Sequence, residues 1–298
     1  MKKLAFSLAI FAGILWGSGG VFVRKLIEFG VNNHTILSSR VLIATIILFI
    51  GLFIFDKSLL KIKLKDIWVF IGGGILGMLG MNLCYNESVN QLTLSLAAVL
   101  LSLSPIFVML FAALLFKERI TLRNTGCMFL AIFGCLLVSG ILENAAGLKW
   151  STIGIITGFL SAFFFALYSI FSKVAMGKGY PAFTITFYSV LSVTIALLPF
   201  TDWRILVNFV ETAPIENSVF MLLHSACTSI LPYVLYTIAL IYIEAGRASI
   251  LAAGGEPIAA MIFGVIFFFE VPTVLSLIGL GLTITALSLL CKQDEIKS

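Results

Sequence analysis

Residues 248–269 read ASILAAGGEPIAAMIFGVIFFF and hold a single charged side chain, Glu256. A helix that crosses the hydrocarbon core of a bilayer needs about 20 mainly apolar residues. The stretch therefore predicts a membrane-spanning helix with an acid at its ninth residue. Nine further apolar runs continue the pattern along the chain, at 4–23, 33–55, 67–86, 92–116, 122–141, 151–172, 182–200, 217–241 and 273–291.

The composition agrees with a chain that lies mostly in lipid. Hydrophobic residues make up 60% of the sequence and charged residues 11%, and the mean hydropathy is +1.14. A soluble domain would hold about 45–50% apolar and about 25% charged residues. No connection between the runs is long enough for an independent soluble domain. We therefore predict an all-α polytopic membrane protein whose function lies within the helix bundle.

The basic residues predict the orientation in the membrane. With the N-terminus placed inside, the 19 Lys and Arg residues divide into 14 inside, 4 outside and Arg40 within a span. An excess of Lys and Arg marks cytoplasmic loops. We expect a multi-pass protein of the cytoplasmic membrane with both termini cytoplasmic, and we interpret its net charge of +5 as topology rather than as a nucleic-acid surface.

The two halves of the chain repeat each other most clearly around two prolines. Ser104-Pro105-Ile106 aligns with Glu256-Pro257-Ile258, and the same offset of 152 residues aligns Glu118 with Glu270. Five spans per half is an odd number, so the second half enters the membrane in the opposite sense. We predict two inverted five-helix units, residues 1–145 and 146–298.

The order of these motifs resembles the EamA family of the drug/metabolite transporter superfamily, over essentially the whole chain. The first half contains Leu15-Trp16-Gly17-Ser18 and later Phe116-Lys117-Glu118-Arg119, and the second half contains Glu256-Pro257 followed by Phe269-Glu270. The resemblance implies a ten-helix transporter with a central cavity between its halves. Members of that family mostly export amino acids, metabolites or drugs.

Glu256 is the first candidate for the transport mechanism. A carboxylate near the middle of a bilayer costs a few kcal/mol, so such a residue usually faces a cavity or a partner. It would bind an ammonium group of the substrate or carry a proton as coupling ion. The alternative is a local structural role, in which it caps backbone groups that Pro257 leaves free.

Arg40 is the second candidate, because it lies inside a span and cannot readily lose its charge. It would hold a substrate carboxylate or pair with Glu256. As a structural residue it would instead extend toward the outer interface or cap helix ends.

Several aromatic side chains within the spans are further candidates for substrate contacts. Their faces and polar edges hold cations and stack on rings, although Tyr and Trp near span ends also form the interfacial belt of membrane proteins. Trp16 and Tyr236 are the deepest. The candidate binding aromatics are Trp16, Tyr85, Tyr168, Tyr188 and Tyr236.

Other features have mainly structural interpretations. Pro105 and Pro257 would kink or break their helices at mid-membrane, and matched interruptions point to a transport site. Gly73 and Gly77, four residues apart, predict close helix packing. We interpret Glu118 as a solvated carboxylate at a span end, with a gate or a helix-terminus contact as the alternative.

The leading hypothesis is a secondary transporter that moves a small organic solute by alternating access. No GxxxxGK[ST] loop occurs, and His34 and His224 stand apart from other metal ligands, so we predict no nucleotide coupling, cofactor or metal site. A membrane enzyme would need paired acids, or an acid near a histidine, at a membrane face. We find no such cluster in the sequence and therefore predict that the chain is not an enzyme. Three alternatives are open: export of an amino acid or amine, import of a cationic metabolite such as choline, or a scaffold that transports nothing.

Overall fold

The computed structural model describes residues 2–92, 94–143, 151–269 and 271–291, and all regular structure within these ranges is helical. Ten spans, numbered in chain order, contain most of the helices. Span 1 holds α1 (Lys2–Gly17) and α2 (Gly19–Glu28); span 2 is α3 (Asn33–Phe55); span 3 holds α4 (Ile67–Ile71), a π-helical stretch (Gly72–Leu79) and α5 (Gly80–Gln91); span 4 holds α6 (Leu94–Leu101) and α7 (Ser104–Phe116); span 5 is α8 (Leu122–Val138). Span 6 is α9 (Thr152–Gly177); span 7 is α10 (Ala182–Leu197), followed by the connecting helix α11 (Trp203–Thr212); span 8 holds α12 (Pro214–Ser225), a second π-helical stretch (Ala226–Ile230) and α13 (Leu231–Tyr242); span 9 is α14 (Ala245–Phe268); span 10 is α15 (Val274–Cys291).

Each predicted apolar run coincides with one of these spans. Within the described part of the chain, nine spans are long and apolar enough to cross a membrane, and span 5 is a shorter apolar helix of 17 residues. Large apolar side chains cover the outside of the bundle, as at Phe55 and Leu114. The predicted all-α polytopic class is confirmed.

The internal repeat is visible in local backbone geometry. Lys117 ends span 4 with φ 57° and Phe269 ends span 9 with φ 55°, although neither is a glycine, and the two are 152 residues apart. The π-helical stretches also fall in corresponding spans, 3 and 8. Two unusual conformations at matched positions indicate a repeated unit.

The packing of the halves on each other is reciprocal. Span 1 packs on spans 8 and 9, and span 6 packs on spans 3 and 4, while spans 2 and 7 face each other, as do spans 5 and 10. This is the arrangement expected for two five-helix units that run in opposite senses. The predicted division between residues 145 and 146 lies outside the described residues and stays a prediction.

Glycines allow the closest helix contacts. A Cβ on Gly134 of span 5 would lie 2.8 Å from the carbonyl oxygen of Gly279 in span 10, and a Cβ on Gly279 would lie 2.6 Å from the oxygen of Gly134. In span 3, a Cβ on Gly77 would lie 2.8 Å from the Cα of Tyr168. Small residues let the backbones of membrane helices approach in this way.

We expect the substitution Gly134→Ala to destabilise the protein. The added methyl group would meet backbone and the Thr283 hydroxyl, 2.3 Å from the new Cβ, so spans 5 and 10 would have to move apart. Overpacking of this kind costs about 1–3 kcal/mol of unfolding free energy. Gly126 lies on the same helix with nothing within 4 Å of its Cβ position, so Gly126→Ala is the matched control. Thermal unfolding in detergent measures both; equal melting temperatures would contradict the expectation.

Candidate functional site

Glu256 lies at the middle of span 9, eleven residues after Ala245 and twelve before Phe268. Its side chain is half-buried and has no hydrogen-bond or salt-bridge partner among the residues that the structure describes. The backbone of span 1 lies directly against it, because a Cβ on Gly17 would be 2.3 Å from the carbonyl oxygen of Glu256. The acid therefore lies where the two halves of the bundle meet, and no described residue balances its charge.

Pro257 does not interrupt span 9, because α14 is continuous through it. The expected break at this proline is not observed. A proline removes the hydrogen bond to the carbonyl four residues earlier, which here belongs to Ala253. The thiol of Cys135 in span 5 approaches that oxygen at 3.9 Å as a weak donor. The backbone group that Pro257 leaves free is thus met by Cys135, and the alternative role of Glu256 as its cap is not seen.

Pro105 marks a real interruption in span 4. Helix α6 ends at Leu101 and α7 begins at Ser104, with Pro105 as its second residue. Proline is well tolerated in the first turn of a helix, where its missing N–H would have no partner. The two matched prolines therefore have different structural outcomes.

Two tyrosines lie within electrostatic range of the acid. Tyr85 of span 3 and Tyr233 of span 8 both interact electrostatically with Glu256. Tyr85 is half-buried, while Tyr233 is buried. Asn82 lies three residues before Tyr85 in α5, so the two side chains share one helix face. Spans 3, 8 and 9 thus bring polar groups to one place.

Arg40 contacts the same group of residues. One of its terminal nitrogens, Nη2, donates a 2.9 Å hydrogen bond to Oδ1 of Asn82, whose own Nδ2 donates to the carbonyl oxygen of Met78 at 2.8 Å. Tyr233 interacts electrostatically with Arg40 as well as with Glu256. No ion pair joins Arg40 to Glu256 in the described part of the chain. The arginine thus contacts Asn82 of span 3 and lies within electrostatic range of Tyr233 of span 8.

An aromatic cluster adjoins these polar groups. Trp16 packs on Tyr233, Phe165 and Tyr236, with ring centroids 5.1, 5.6 and 5.7 Å apart. Tyr168 packs edge-on against Tyr233 at 5.0 Å. These rings come from spans 1, 6 and 8, so both halves contribute.

The members of the aromatic cluster differ in what they can offer a ligand. Tyr168 is 1% exposed and its hydroxyl lies 2.8 Å from that of Thr237, while Tyr236 is fully buried and its hydroxyl lies 2.7 Å from that of Ser169. Both hydroxyls already have protein partners, so these tyrosines pack the interior. Trp16 is half-buried and keeps part of its surface accessible.

Tyr188 lies away from this cluster. Its hydroxyl donates a 2.6 Å hydrogen bond to the carbonyl oxygen of Leu60, and its ring packs on Phe70 and Phe187. It borders a largely apolar groove of about 430 Å³ between spans 2 and 7. The structure thus does not bring Tyr188 together with Glu256, whereas Tyr85 interacts with the acid and Trp16 is adjacent to Gly17, which packs on the Glu256 backbone.

Glu118 is less exposed and has more protein partners than the sequence suggested. Its side chain is only 13% exposed and forms a salt bridge with Lys173 of span 6. Both carboxylate oxygens also accept hydrogen bonds from the backbone N–H of Ala245, at 3.0 and 3.1 Å, at the start of span 9. The interpretation as a solvated carboxylate is wrong, because one acid holds the ends of spans 4, 6 and 9 together. Its repeat partner Glu270 lies outside the described residues.

Sequence reasoning left out of the site three residues that the structure places in it: Asn82, Tyr233 and Phe165. Asn82 carried a signal, since a polar side chain within a span usually faces the bundle interior. Phe165 carried none, because phenylalanines are common throughout the spans. Within the described residues, no three His, Cys, Asp or Glu side chains form a group that would hold a metal ion.

Comparison with known proteins relates the chain to transporters. The sequence model of the EamA-like transporter family matches it twice, at residues 3–140 and 152–291. Two proteins of Archaeoglobus fulgidus, each named an uncharacterized transporter, are 26% identical to it. The alignments cover 91% and 93% of this chain and 90% and 95% of those proteins. The uncharacterized transporter YdfC of Bacillus subtilis is 24% identical, over 89% of this chain and 83% of its own length.

A solved crystal structure has the same fold. It superposes with a TM-score of 0.75 at 16% sequence identity and covers 96% of this chain and 95% of its own. An uncharacterized transporter of Haemophilus influenzae is 26% identical over 67% of this chain and 65% of its own length. The EamA-like family model matches each half of the chain, which agrees with the repeated helix unit.

Proposed function

Because the chain belongs to the EamA-like transporter family and is a multi-pass membrane transporter, we propose that it moves a small organic solute by alternating access around Glu256. The solute carries an ammonium group, as amino acids and amines do, and leaves the cell. Protons are the proposed coupling ion. The protein lies in the cytoplasmic membrane with both termini cytoplasmic, as its distribution of basic residues favours.

The observation that carries this proposal is the unpartnered carboxylate of Glu256. A charge at that depth costs a few kcal/mol and is normally balanced by a partner or by water in a cavity. No described residue provides that partner. A cationic substrate group or a proton would balance the charge during each transport cycle, and a scaffold would have no use for such an acid.

The surroundings of Glu256 favour an organic cation over a bare metal ion. Trp16 and Tyr85 are half-buried and lie in the same region as the acid. Aromatic faces attract ammonium groups by about 0.5–2 kcal/mol each. A site made of one carboxylate and several rings suits an amine that carries apolar groups.

The arrangement of the halves favours alternating access. Residues near Glu256 of span 9 come from spans 1 and 3 of the first half and span 8 of the second, so both five-helix units contribute to the site. Glu118 joins spans 4, 6 and 9 at the end of the bundle that we expect to be cytoplasmic. We propose that breaking these contacts opens the site to the cytoplasm.

A transport screen in proteoliposomes tests this function. Uptake and efflux of amino acids, polyamines, quaternary amines including choline, and nucleosides are measured with and without a proton gradient. We expect ammonium-bearing solutes to move faster than in protein-free liposomes, and the proton gradient to accelerate them. Exclusive transport of choline would favour the importer hypothesis. If no solute in any class moves, the proposed function is refuted and the scaffold hypothesis gains support.

A further inference from the structure

Two side chains of spans 2 and 8, Arg40 and His224, have buried nitrogen atoms without a hydrogen-bond partner among the described residues. The Nε atom of Arg40 is buried and has no hydrogen-bond partner in the described ranges, whereas Nη2 of the same guanidinium donates a hydrogen bond to Asn82. His224 of span 8 is fully buried, and neither Nδ1 nor Nε2 has a partner within the described part of the chain.

Both side chains are held in place by their surroundings. The His224 ring stacks on Phe22 of span 1, with centroids 5.1 Å apart and an interplanar angle of 17°. The next residue, Ser225, donates a 2.6 Å hydrogen bond to the carbonyl oxygen of Arg40. Arg40 and His224 also interact electrostatically. The Ser225 bond and the Phe22 stack thus hold the imidazole of span 8 in the same interior region as Arg40 of span 2.

Leaving these groups unmatched is unfavourable. A buried polar group without a partner costs about 1–3 kcal/mol, and more when it is charged. Native proteins satisfy more than about 90% of such groups, so an exception calls for a missing partner. The N–H of Arg40 and the N–H that a neutral imidazole carries are both donors. A partner that satisfies both must therefore be an acceptor, and beside a permanent cation an anionic acceptor is favoured.

A carboxylate matches these requirements. It accepts from a guanidinium through two oxygens and forms hydrogen bonds about twice as strong as neutral ones. The guanidinium is also more weakly hydrated than an ammonium group, so it loses less when water is removed. An inorganic anion would satisfy Arg40 and His224 but would leave Glu256 unbalanced.

We propose that Arg40 and His224 form a carboxylate subsite, and that the substrate is a zwitterion whose carboxylate binds there while its ammonium group binds at Glu256. This rests on the proposed function, because it assigns the second charge of the same ligand. Tyr233 interacts electrostatically with both Arg40 and Glu256, so one side chain lies within electrostatic range of both charges. A zwitterion would balance the charges of Arg40 and Glu256 at the same time.

Binding to the full chain in lipid nanodiscs tests this, using two ligand series that differ in the spacing of the charges. One is L-phenylalanine, L-phenylalaninamide and 2-phenylethylamine; the other is 6-aminohexanoate, 6-aminohexanamide and pentylamine. We expect the zwitterion of at least one series to bind at least tenfold more tightly than its amide and its amine, as measured by calorimetry. In Arg40→Gln we expect that ratio to fall to within twofold of one.

The variant His224→Phe tests the same subsite independently, in case Arg40→Gln does not fold. It keeps a planar ring against Phe22 and removes both nitrogens, and we expect it to reduce the ratio by at least threefold. Thermal unfolding of each variant reports whether the fold is intact. A purely structural role of the two residues would change the melting temperature and leave the ratio as in the wild type.

The outcomes separate the two proposals. If amines and zwitterions bind equally well, or if Arg40→Gln weakens both equally, the carboxylate subsite is overturned, while transport of amines that depends on Glu256 preserves the proposed function. If zwitterions of neither series bind, the subsite is likewise overturned. If in addition no solute is transported in the screen, the proposed function fails too.

Discussion

The variant Glu256→Gln is expected to lose at least nine tenths of transport while the protein stays folded. Glutamine has the same shape but no charge, so it cannot balance an ammonium group or carry a proton through the cycle. The charge lies at the middle of span 9 without a described partner. In the proposed cycle this charge is balanced by the substrate or by a proton, and glutamine abolishes that interaction. Initial rates in proteoliposomes, with the solutes identified in the screen, measure the loss.

The same substitution is expected to leave the melting temperature unchanged or to raise it. A buried charge without a partner destabilises the folded protein, so neutralising it relieves a cost. A loss of transport combined with undiminished stability is typical of a functional group rather than of a packing residue. Wild-type transport in Glu256→Gln would place the acid outside the transport path.

An exposed acid serves as the control. Glu211 lies in the connecting helix α11, outside the spans, and is exposed. Glu211→Gln makes the same chemical change away from the bundle interior. We expect its transport rate to equal that of the wild type; an equal loss in both variants would show that the assay responds to charge in general.

The variant Glu118→Ala is expected to open the end of the bundle at which spans 4, 6 and 9 meet. It removes the salt bridge to Lys173 and both hydrogen bonds from the Ala245 amide. Loss of a helix cap costs about 0.5–2 kcal/mol, and breaking a buried ion pair costs about 3–5 kcal/mol. Because 1.4 kcal/mol corresponds to about tenfold in an equilibrium, we expect hydrogen exchange of the peptide 243–250 to accelerate at least tenfold.

Two further variants make this test specific. Glu118→Gln retains an acceptor for the amide and loses the charge, so its exchange is expected to lie between those of wild type and Glu118→Ala. Glu244 is the adjacent acid, half-buried and without a side-chain partner in the described ranges, and Glu244→Gln is expected to exchange like the wild type. Unchanged exchange in Glu118→Ala would mean that other contacts hold this end together.

The helical architecture was predictable because it depends on local composition. Apolar runs of membrane-spanning length predicted the spans, and the offset of 152 residues between Pro105 and Pro257 predicted the repeat. The depth of Glu256 followed from its place within its run. These inferences need no knowledge of which helices touch, so one sequence is enough for them.

Properties that depend on contacts between distant residues were not predictable. Pro105 and Pro257 occupy matched positions in the sequence. In the structure, Pro105 lies in the first turn of a helix, whereas Pro257 lies within a helix and the thiol of Cys135 approaches the carbonyl oxygen that it leaves free. Tyr233 and Tyr236 lie three residues apart in one helix, but the hydroxyl of Tyr236 forms a hydrogen bond with that of Ser169. The neighbouring helices decide which aromatic side chain has a protein hydrogen-bond partner and which one is available to a ligand.

The contact between spans 1 and 9 favours joint movement of these two spans in the proposed alternating-access cycle. A Cβ on Gly13 would lie 2.1 Å from the carbonyl oxygen of Ala252, and one on Gly255 would lie 2.7 Å from that of Ile10, so the two backbones touch without side chains between them. Backbones in direct contact slide little, because each displacement meets main-chain atoms. Glu256 and Trp16 would then travel as one rigid pair, although they belong to different halves of the sequence. In the proposed cycle, span 1 of the first half would thus move with span 9 of the second half rather than with its own repeat.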